Sequence, residues 1–522
     1  MTAAAQDRSM ALSVAPESVS QLREWDARVE RMLRDDQLRI RQTREDSLLD
    51  GRTHQRADQY HRGVRVFGAD VARQLRDGQL ISLFGTVYPE IRIETSPTLD
   101  EDAARAIVEK RANAQIGESR RPELVILPIE RGFRLTWRLR AASRGDIRQY
   151  FVDARDGSIV LEYSDRKTQV PQGSVGTSRG VLGDLKKISV TQNSAGFVAS
   201  DDLRPPSIQT YDMRGDWRRV VRYLNDAASL TTADLAADSD NEWTDGAAGD
   251  AHVYTGWTYD YFYKRFNRRG LDNADIPITS LVHPVRRIDI FELFDIVPEF
   301  FANAFYAGDG IMVYGVGLPA GITSGGQVVD FLSGALDVVA HELTHGVTDY
   351  TSQLIYQNES GALNESFSDM MAAGAEFFFQ RPGTGSQQAD YLVGEDVVRP
   401  GGIRSMSNPG VFGDPDHYNT RFTGTDDNGG VHINSGIPNH AFYLAIEGGV
   451  NRTSGLSVQG VGAANREQIE RAFYRAFTQL LPSSATFAVA RAATLQSARD
   501  LFGAGSAPER AIEQAWTAVG VR

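Results

Sequence analysis

The spacing of apolar and polar positions changes several times along this chain, and each change predicts a new element. Residues 1–50 are mostly polar around one helical patch, "SVSQLREWDARVERML". From Tyr60, "YHRGVRVFGADVARQLRDGQLISLFGTVYPEIRI" alternates β-rich runs with glycine turns, which predicts a meander. "TLDEDAARAIVEKRANAQI" opens on an acidic turn and then takes helical spacing. "PELVILPI", "FRLTWRLRA" and "RQYFVDARDGSIVLEY" read as strands, the last folded into a hairpin at Asp156-Gly157. "SDRKTQVPQGSVGTSRG" is polar and rich in Gly, Ser and Pro, as a linker or processing site is. Residues up to about 330 look strand- and loop-rich. From Phe331 the spacing turns helical and largely stays so, as in "REQIERAFYRAFTQLL". The expected divisions are a lead segment 1–50, a front part 51–165 of two small α+β modules, a linker 166–176, a lobe 177–345 and a helical lobe 346–522. No tandem repeat is visible.

At 522 residues the chain is too long for one compact core. No apolar run is long enough to span a bilayer. The net charge of −13 argues against nucleic acid or an anionic membrane as partner. Up to Thr168 there are 29 Lys and Arg against 27 Asp and Glu, so 26 against 41 remain of the 55 and 68 in the whole chain. A weakly basic front and an acidic back suit two parts that touch. With 0 cysteines, thiol nucleophiles, disulfides and cysteine zinc sites are all excluded. The start, "MTAAAQDRSMALSVAPESVS", lacks the basic region and apolar core of a signal peptide.

Ionisable residues concentrate in the most apolar region, "LDVVAHELTHGVTDYTSQLIYQNESGALNESFSDMM", from Leu336 to Met371. In "HELTH", His341 and His345 share a helix face and can aim their rings at one point. Neutral imidazoles suit zinc, and Glu342 beside them can take a proton from a water on that metal. Such a pattern also arises by chance around ordinary core histidines, so the next helix matters. There Glu365, Asp369 and Glu376 keep within about 40° of one another at about 100° per residue. Buried carboxylates are costly without cations. Asp337, His341 and His345 form a matching stripe. With the two helices antiparallel, His341, His345 and Glu365 converge on one ion. Asp337 then meets Glu376 roughly 10–16 Å away, in an oxygen-rich group that suits calcium. Asp369 is placed to accept the other N–H of a ligating histidine. "DYLVGED" offers Asp390, the Leu392 carbonyl and Glu395 to complete the calcium group, although an ordinary turn would use the same acids.

Read together, these residues resemble the thermolysin family of gluzincin metalloendopeptidases. "HELTHGVTDYTSQLIYQNESGALNESFSD" and "GDPDHYNTRFTGTDDNGGVHINSGIPNHAFY" carry the resemblance, which runs from about Gly176 to the C-terminus. It implies a β-rich N-terminal lobe and a mainly helical C-terminal lobe. One catalytic Zn2+ would be held by His341, His345 and Glu365, with Glu342 as general base and one or two structural Ca2+. It implies His432 in "NGGVH" as transition-state donor, Asp427 as its orienting carboxylate and Tyr356 as a second oxyanion donor. Arg404 resembles the arginine that meets a substrate carbonyl. Asn303 and Ala304 resemble the edge strand that pairs with extended peptide. Leu332, Val338 and Ile403 look like walls of the apolar pocket after the scissile bond, which implies cleavage before bulky hydrophobic residues. The front part resembles the family's propeptides, which assist folding and inhibit until cut; cutting is expected between Tyr163 and Ser174. The implied protein is secreted and monomeric, with protein and peptide substrates, its own propeptide as intramolecular inhibitor, and no nucleic-acid or membrane partner.

Two departures from the pattern stand out. "QRPGTGSQQ" is inserted between Glu376 and Asp390, which leaves both one and two calcium ions open there, and "VVRPGGIRS" after Asp396 is short and lacks an aspartate, so one further calcium site is expected to be absent. "DSDNEW" at Asp238–Trp243 weakly resembles another calcium loop. A gluzincin aminopeptidase would need an amine anchor such as G-x-M-E-N, which this sequence lacks. A catalytically silent or permanently propeptide-locked metal protein has no need of Glu342, Tyr356 and His432 together.

Overall fold

The computed structural model describes residues 12–14, 16, 18–130, 132–142, 147–165, 175–193, 196–201 and 203–522. Most of the segment expected to be cut lies outside the described residues, as does most of the N-terminal stretch that bears on export.

Helix α1 (Val19–Arg34) begins where the Ser18 hydroxyl accepts the Gln21 N–H. It lays Val29 and Met32 against Leu38, Ala57, Val71, Leu83 and Val87. The first-module strands are β1 (Leu12–Val14), β2 (Leu38–Glu45), β3 (Arg52–His61), β4 (Val64–Arg76) and β5 (Gln79–Val87). The second module holds α2 (Glu101–Ala112), β6 (Glu123–Ile129), β7 (Gly132–Ala142), β8 (Ile147–Asp153) and β9 (Ile159–Ser164). One nine-stranded sheet carries both, joined where Arg65 and Val66 of β4 pair in parallel with Val125 and Ile126 of β6. The two α+β modules are as read from the sequence, but the boundary expected at residue 50 is corrected. It falls in the β2–β3 hairpin, whose ladder runs from Leu38↔Gln59 to Glu45↔Thr53. "LRIRQTRE" buries only Leu38 and leaves Ile40 exposed among charged neighbours, so no apolar-polar alternation marks it as a strand.

The next lobe is built on a sheet of β10 (Ile208–Asp212), β11 (Ile278–Val282), β12 (Ala304–Gly308) and β13 (Ile311–Tyr314), in the order β10-β11-β13-β12. The chain pairs β10, β11 and β13 in parallel and returns antiparallel along β12, which forms the sheet edge. Helix α3 (Gly246–Phe266) corrects the expectation of a strand- and loop-rich stretch here. Of its 21 residues, 15 are buried, so no polar stripe marks helical spacing, and its glycines, threonines and tyrosines argue locally against a helix.

Helix α4 (Leu336–Asp349) crosses between the lobes and packs on α3, β12 and α5 (Asn358–Phe379). The lobe boundary expected after His345 is therefore displaced, since it falls inside α4. The helical lobe adds α6 (Gly436–Glu447), α7 (Arg466–Arg475), α8 (Phe487–Phe502) and α9 (Ala507–Ala518) around Trp516 and Phe473. Between α5 and α6, short strands such as β14 (Leu392–Val393) and β15 (Arg404–Ser405) replace the helix that the periodicity suggested.

The front sheet sits against the loop between α4 and α5 and against the helical lobe. Phe67, Val125, Leu127, Phe151 and Tyr163 share an apolar cluster with Tyr356 and Val431. Asn428 Nδ2 donates to the Ser164 carbonyl at 3.4 Å. On the far side the Arg56 guanidinium donates to the carbonyls of Leu481 and Thr478 at 2.7 and 2.8 Å. Asp46 accepts from Arg475 at 2.9 Å and bonds the His54 ring at 2.7 Å, with all three side chains buried.

Candidate active site

Helix α4 buries 12 of its 14 residues, so its polar side chains cannot turn to solvent. Helix α5 packs along α4, and Gly361 near its start lets the turn that carries His432 come close, since a Cβ there would stand 2.4 Å from Val431 Cγ1. The sequence stripes consequently meet. His341 Nε2 and His345 Nε2 lie 3.1 Å apart, and each is 3.3 Å from a Glu365 oxygen. His341 Nδ1 donates to Asp369 Oδ1 at 2.7 Å, and His345 Nδ1 donates to Asn364 Oδ1 at 2.8 Å. Each ring proton is thereby committed to the outer nitrogen. Both Nε2 lone pairs then face one another and Glu365, whose buried Oε2 accepts no hydrogen bond. That donor set fits a zinc ion. The field agrees. With no ion at this point, burial lowers the His341 imidazole, but Glu342, Asp369 and Glu365 outweigh it and push it up to about 10, so the site calls for a positive charge that a proton on Nε2 supplies when a metal does not. For Glu365, burial works upward while His432, His345 and His341 hold the carboxyl well below its ordinary range.

Glu342 Oε2 stands 3.9 Å from His341 Nε2 and 3.7 Å from His345 Nε2, with the side chain 12% exposed. The Tyr356 hydroxyl donates to Glu365 Oε1 and lies 3.1 Å from His432 Nε2. His432 Nδ1 donates to Asp427 Oδ1 at 2.5 Å, and Asp427 Oδ2 accepts the His432 N–H at 2.8 Å. Burial opposes a charge on this ring, yet Glu365 and Asp427 raise it above the ordinary histidine value. The ring is carried by a tight turn in which Asp427, Asn428, Gly429 and Gly430 have φ of 53°, 50°, 86° and 82°. This left-handed run suits Asn, Asp and Gly and is closed to branched residues. A Cβ on Gly430 would also stand 2.7 Å from Phe422 Cδ1.

Asp369 is the hub behind His341. Arg404 forks onto it at 2.9 and 2.7 Å and reaches within 3.7 Å of Glu365, while Asn439 Nδ2 donates to it at 2.7 Å. Burial pushes Asp369 up, but Arg404 and His341 hold it far below the ordinary carboxylate range. Asn364 and Asn439 were not read from the sequence, because a lone asparagine on an apolar helix carries no spacing signal.

Ala304 opens the edge strand β12, and the Asn303 carbonyl accepts from Gly315 at 2.8 Å. Val338 and Ile403 both approach Gly394; a Cβ there would lie 3.6 and 3.7 Å from them. Val338 and Leu332 are buried, whereas Ile403 is 44% exposed.

The second acidic group gathers as expected, with one change. Glu376, Glu395 and Asp396 bring ligand atoms within 4.8 Å of one another, and Asp337 and Asp390 act on the same cluster. Asp396 was outside the expected set, and Leu392 contributes its N–H, which donates to Asp390 at 2.6 Å. Both oxygens of Glu376 and of Glu395 are buried without hydrogen bonds. In "DSDNEW", Asp238 Oδ1 instead accepts from the backbone of Asp240 and Asn241 at 3.0 and 2.7 Å, an ordinary turn.

Comparison with known proteins gives three family matches: the thermolysin metallopeptidase catalytic domain over residues 175–349, its alpha-helical domain over 352–521, and the fungalysin/thermolysin propeptide motif over 36–87. The chain is 37% identical over 502 residues to the thermostable neutral protease NprT of Geobacillus stearothermophilus, covering 90% of this chain and 84% of that one. It is 37% identical over 503 residues to a thermolysin of Alicyclobacillus acidocaldarius, with the same coverages of 90% and 84%. Among solved structures, the precursor of protealysin from Serratia proteamaculans aligns with a TM-score of 0.45 and 30% identity, covering 60% of this chain and 87% of that one.

Proposed function

The chain belongs to the thermolysin family of zinc metallopeptidases and carries that family's propeptide motif, and from that premise we propose that it is a secreted endopeptidase made as a propeptide-inhibited precursor. The convergence of His341, His345 and Glu365, with Glu342 beside them, carries the reading.

Zinc, when bound, supplies a Lewis acid for the peptide carbonyl and for an attacking water. His341, His345 and Glu365 would hold it, and Asp369 and Asn364 fix the two rings so that Nε2 faces inward. Glu342 takes the proton of the attacking water and hands it to the leaving nitrogen. His432 and Tyr356 donate to the carbonyl oxygen as its negative charge grows, with Asp427 holding His432 in place. Substrate lies extended along β12 and seats a bulky apolar side chain between Leu332, Val338 and Ile403. Asp337, Glu376, Asp390, Glu395 and Asp396 would hold one or two calcium ions. The protein acts as a monomer outside the cell, on polypeptides. No helix among the described residues is long and apolar enough to cross a membrane. Hydrolysis of an internally quenched peptide that stops with 1,10-phenanthroline and returns with Zn2+ tests the assignment. His432→Ala is expected to lower kcat about 100-fold with little change in KM; an unchanged kcat would remove His432 from the reaction.

The front module inhibits by contact. Its apolar cluster closes over Tyr356 and Val431, and the Ser164 carbonyl accepts from Asn428 in the turn that carries His432. Docking has a pH dependence with a definite sign. Burial lowers the His54 imidazole, Asp46 works against that, and Arg475 and Arg56 lower it further. The docked propeptide therefore binds fewer protons at His54 than the separated one. Docking strengthens as the pH rises and weakens as it falls through the range in which the separated propeptide's imidazole takes up its proton. Burial pushes Asp46 up, but His54 and Arg475 hold it below its usual range, so its own loss comes only in stronger acid. In a Glu342→Gln precursor nicked between the two parts, gel filtration is expected to retain the propeptide at pH 7.5 and release it at pH 5.5. His54→Gln should flatten that difference. Equal retention at both values in the His54 protein would overturn the expectation.

A further inference from the structure

The segment before β12 turns apolar side chains in two directions. Ile290, Ile296 and Phe300 point inward at 6%, 2% and 2% exposure, with Leu293 and Val297 packed beside them. That face is enough to anchor the segment. Ile288, Phe291 and Phe294 point outward at 80%, 81% and 75%, the highest exposures of any large apolar residues among those described. Ile288 and Phe291 stand three apart in the 3-10 helix Arg287–Phe291, where such residues eclipse, and Phe294 opens the 3-10 helix Phe294–Ile296 just beyond a break at Leu293, so the outward three follow one another along one short segment. This ridge is fixed to the lobe. Arg287 donates to the Val316 carbonyl, meets Asp330 at 2.6 Å and lies 3.8 Å over the Phe331 ring. The chain then pairs through the carbonyls of Phe300, Phe301 and Asn303 with Val316, Gly317 and Gly315 and enters the sheet edge β12.

We propose that Ile288, Phe291 and Phe294 form an exosite for an apolar, net-basic stretch of the polypeptide substrate, beyond the part lying along β12. The inference rests on the endopeptidase reading above. Three side chains offer roughly 450 Å², well under the ~800 Å² per partner of a stable dimer. Asp289, Glu292, Asp295 and Glu299 outnumber Arg286 and Arg287 around the ridge, which disfavours anionic lipid and favours a basic segment. The ridge also continues directly into the strand on which substrate lies. Nine residues, partly 3-10 and partly α-helical, separate Phe294 from Asn303, roughly 14–18 Å at about 1.5–2 Å per residue. An extended peptide covers that in about four to six residues.

Two sets of quenched peptides share one hexapeptide core and carry eight further residues at either end, either Leu, Phe and Lys or only Gly and Ser. The matured enzyme is expected to cleave one apolar-basic peptide with about tenfold higher kcat/KM than its Gly-Ser counterpart, through KM. Ile288→Ser, Phe291→Ser and Phe294→Ser combined should erase that advantage and leave the bare hexapeptide unchanged. Equal rates for both extensions in the unsubstituted enzyme, or an equal fall on the hexapeptide in the variant, would overturn the exosite. So would sedimentation showing a dimer that the variant abolishes. Failure of the hexapeptide to be cut at all would strike the endopeptidase reading; the fluorescence anisotropy of the apolar-basic peptide still reads the ridge directly, with weaker binding by the variant expected and equal binding against it.

Discussion

Glutamine in place of Glu342 is expected to lower kcat on a quenched peptide by about 1,000-fold or more, with one zinc per chain retained. The substitution keeps the shape of a side chain that is only 12% exposed and stands 3.7–3.9 Å from the two ring nitrogens. It removes only the capacity to take a proton. Glu342 is not among the three groups that converge on the metal, so zinc content by atomic emission should not move, whereas His345→Ala should lose metal and activity together. The contrast matters, because a structural role for Glu342 would make both variants fail alike. A Glu342→Gln chain that kept full activity with full zinc would rule out the carboxylate as general base.

What the sequence disclosed follows from where periodicity and chemistry coincide. The stripes Asp337-His341-His345 and Glu365-Asp369-Glu376 were legible because charges at helical spacing inside an apolar run are too costly to bury without a cation to meet them. The structure gathers His341, His345, Glu365 and Asp369 at one centre and sets Asp337 and Glu376 in the second. Helix α3 was not legible, since a helix buried on nearly every side has no amphipathic stripe to detect. Asp396 follows Glu395 directly, and adjacent residues usually point apart; only the irregular backbone after β14 lets both face Glu376. Asn364 and Asn439 act through single hydrogen bonds that no spacing rule anticipates. The carrier turn of His432 was partly visible in its paired glycines, but the left-handed conformation of Asp427 and Asn428 was not. Fold class and the convergence of His341, His345 and Glu365 were thus readable from long-range pattern. The supporting polar contacts were decided by tertiary packing.

Calcium is expected to raise the melting temperature by about 10 °C at pH 8 and by little at pH 5. The sign comes from the acidic cluster. In the metal-free fold, burial pushes Asp337 up to about 7, with Asp396 and Asp390 adding to it against bonds from Gly394 and Val338. Burial, Asp337 and Asp390 push Glu395 up to about 9, and burial with Asp337 and Glu395 raises Glu376 well above the ordinary range. In the unfolded chain these groups ionise near pH 4. Between about pH 4 and 9 the metal-free fold therefore binds more protons than the unfolded chain, and its stability falls as the pH rises. A divalent cation replaces those protons and removes the fall, so its benefit grows over the same range. Glu376→Gln removes the central buried carboxylate, and its metal-free form should melt higher than the unsubstituted protein at pH 8 while responding less to calcium. A calcium effect equal at pH 5 and pH 8, measured by scanning calorimetry with EGTA as the blank, would mean that the ion binds somewhere other than among these five carboxylates.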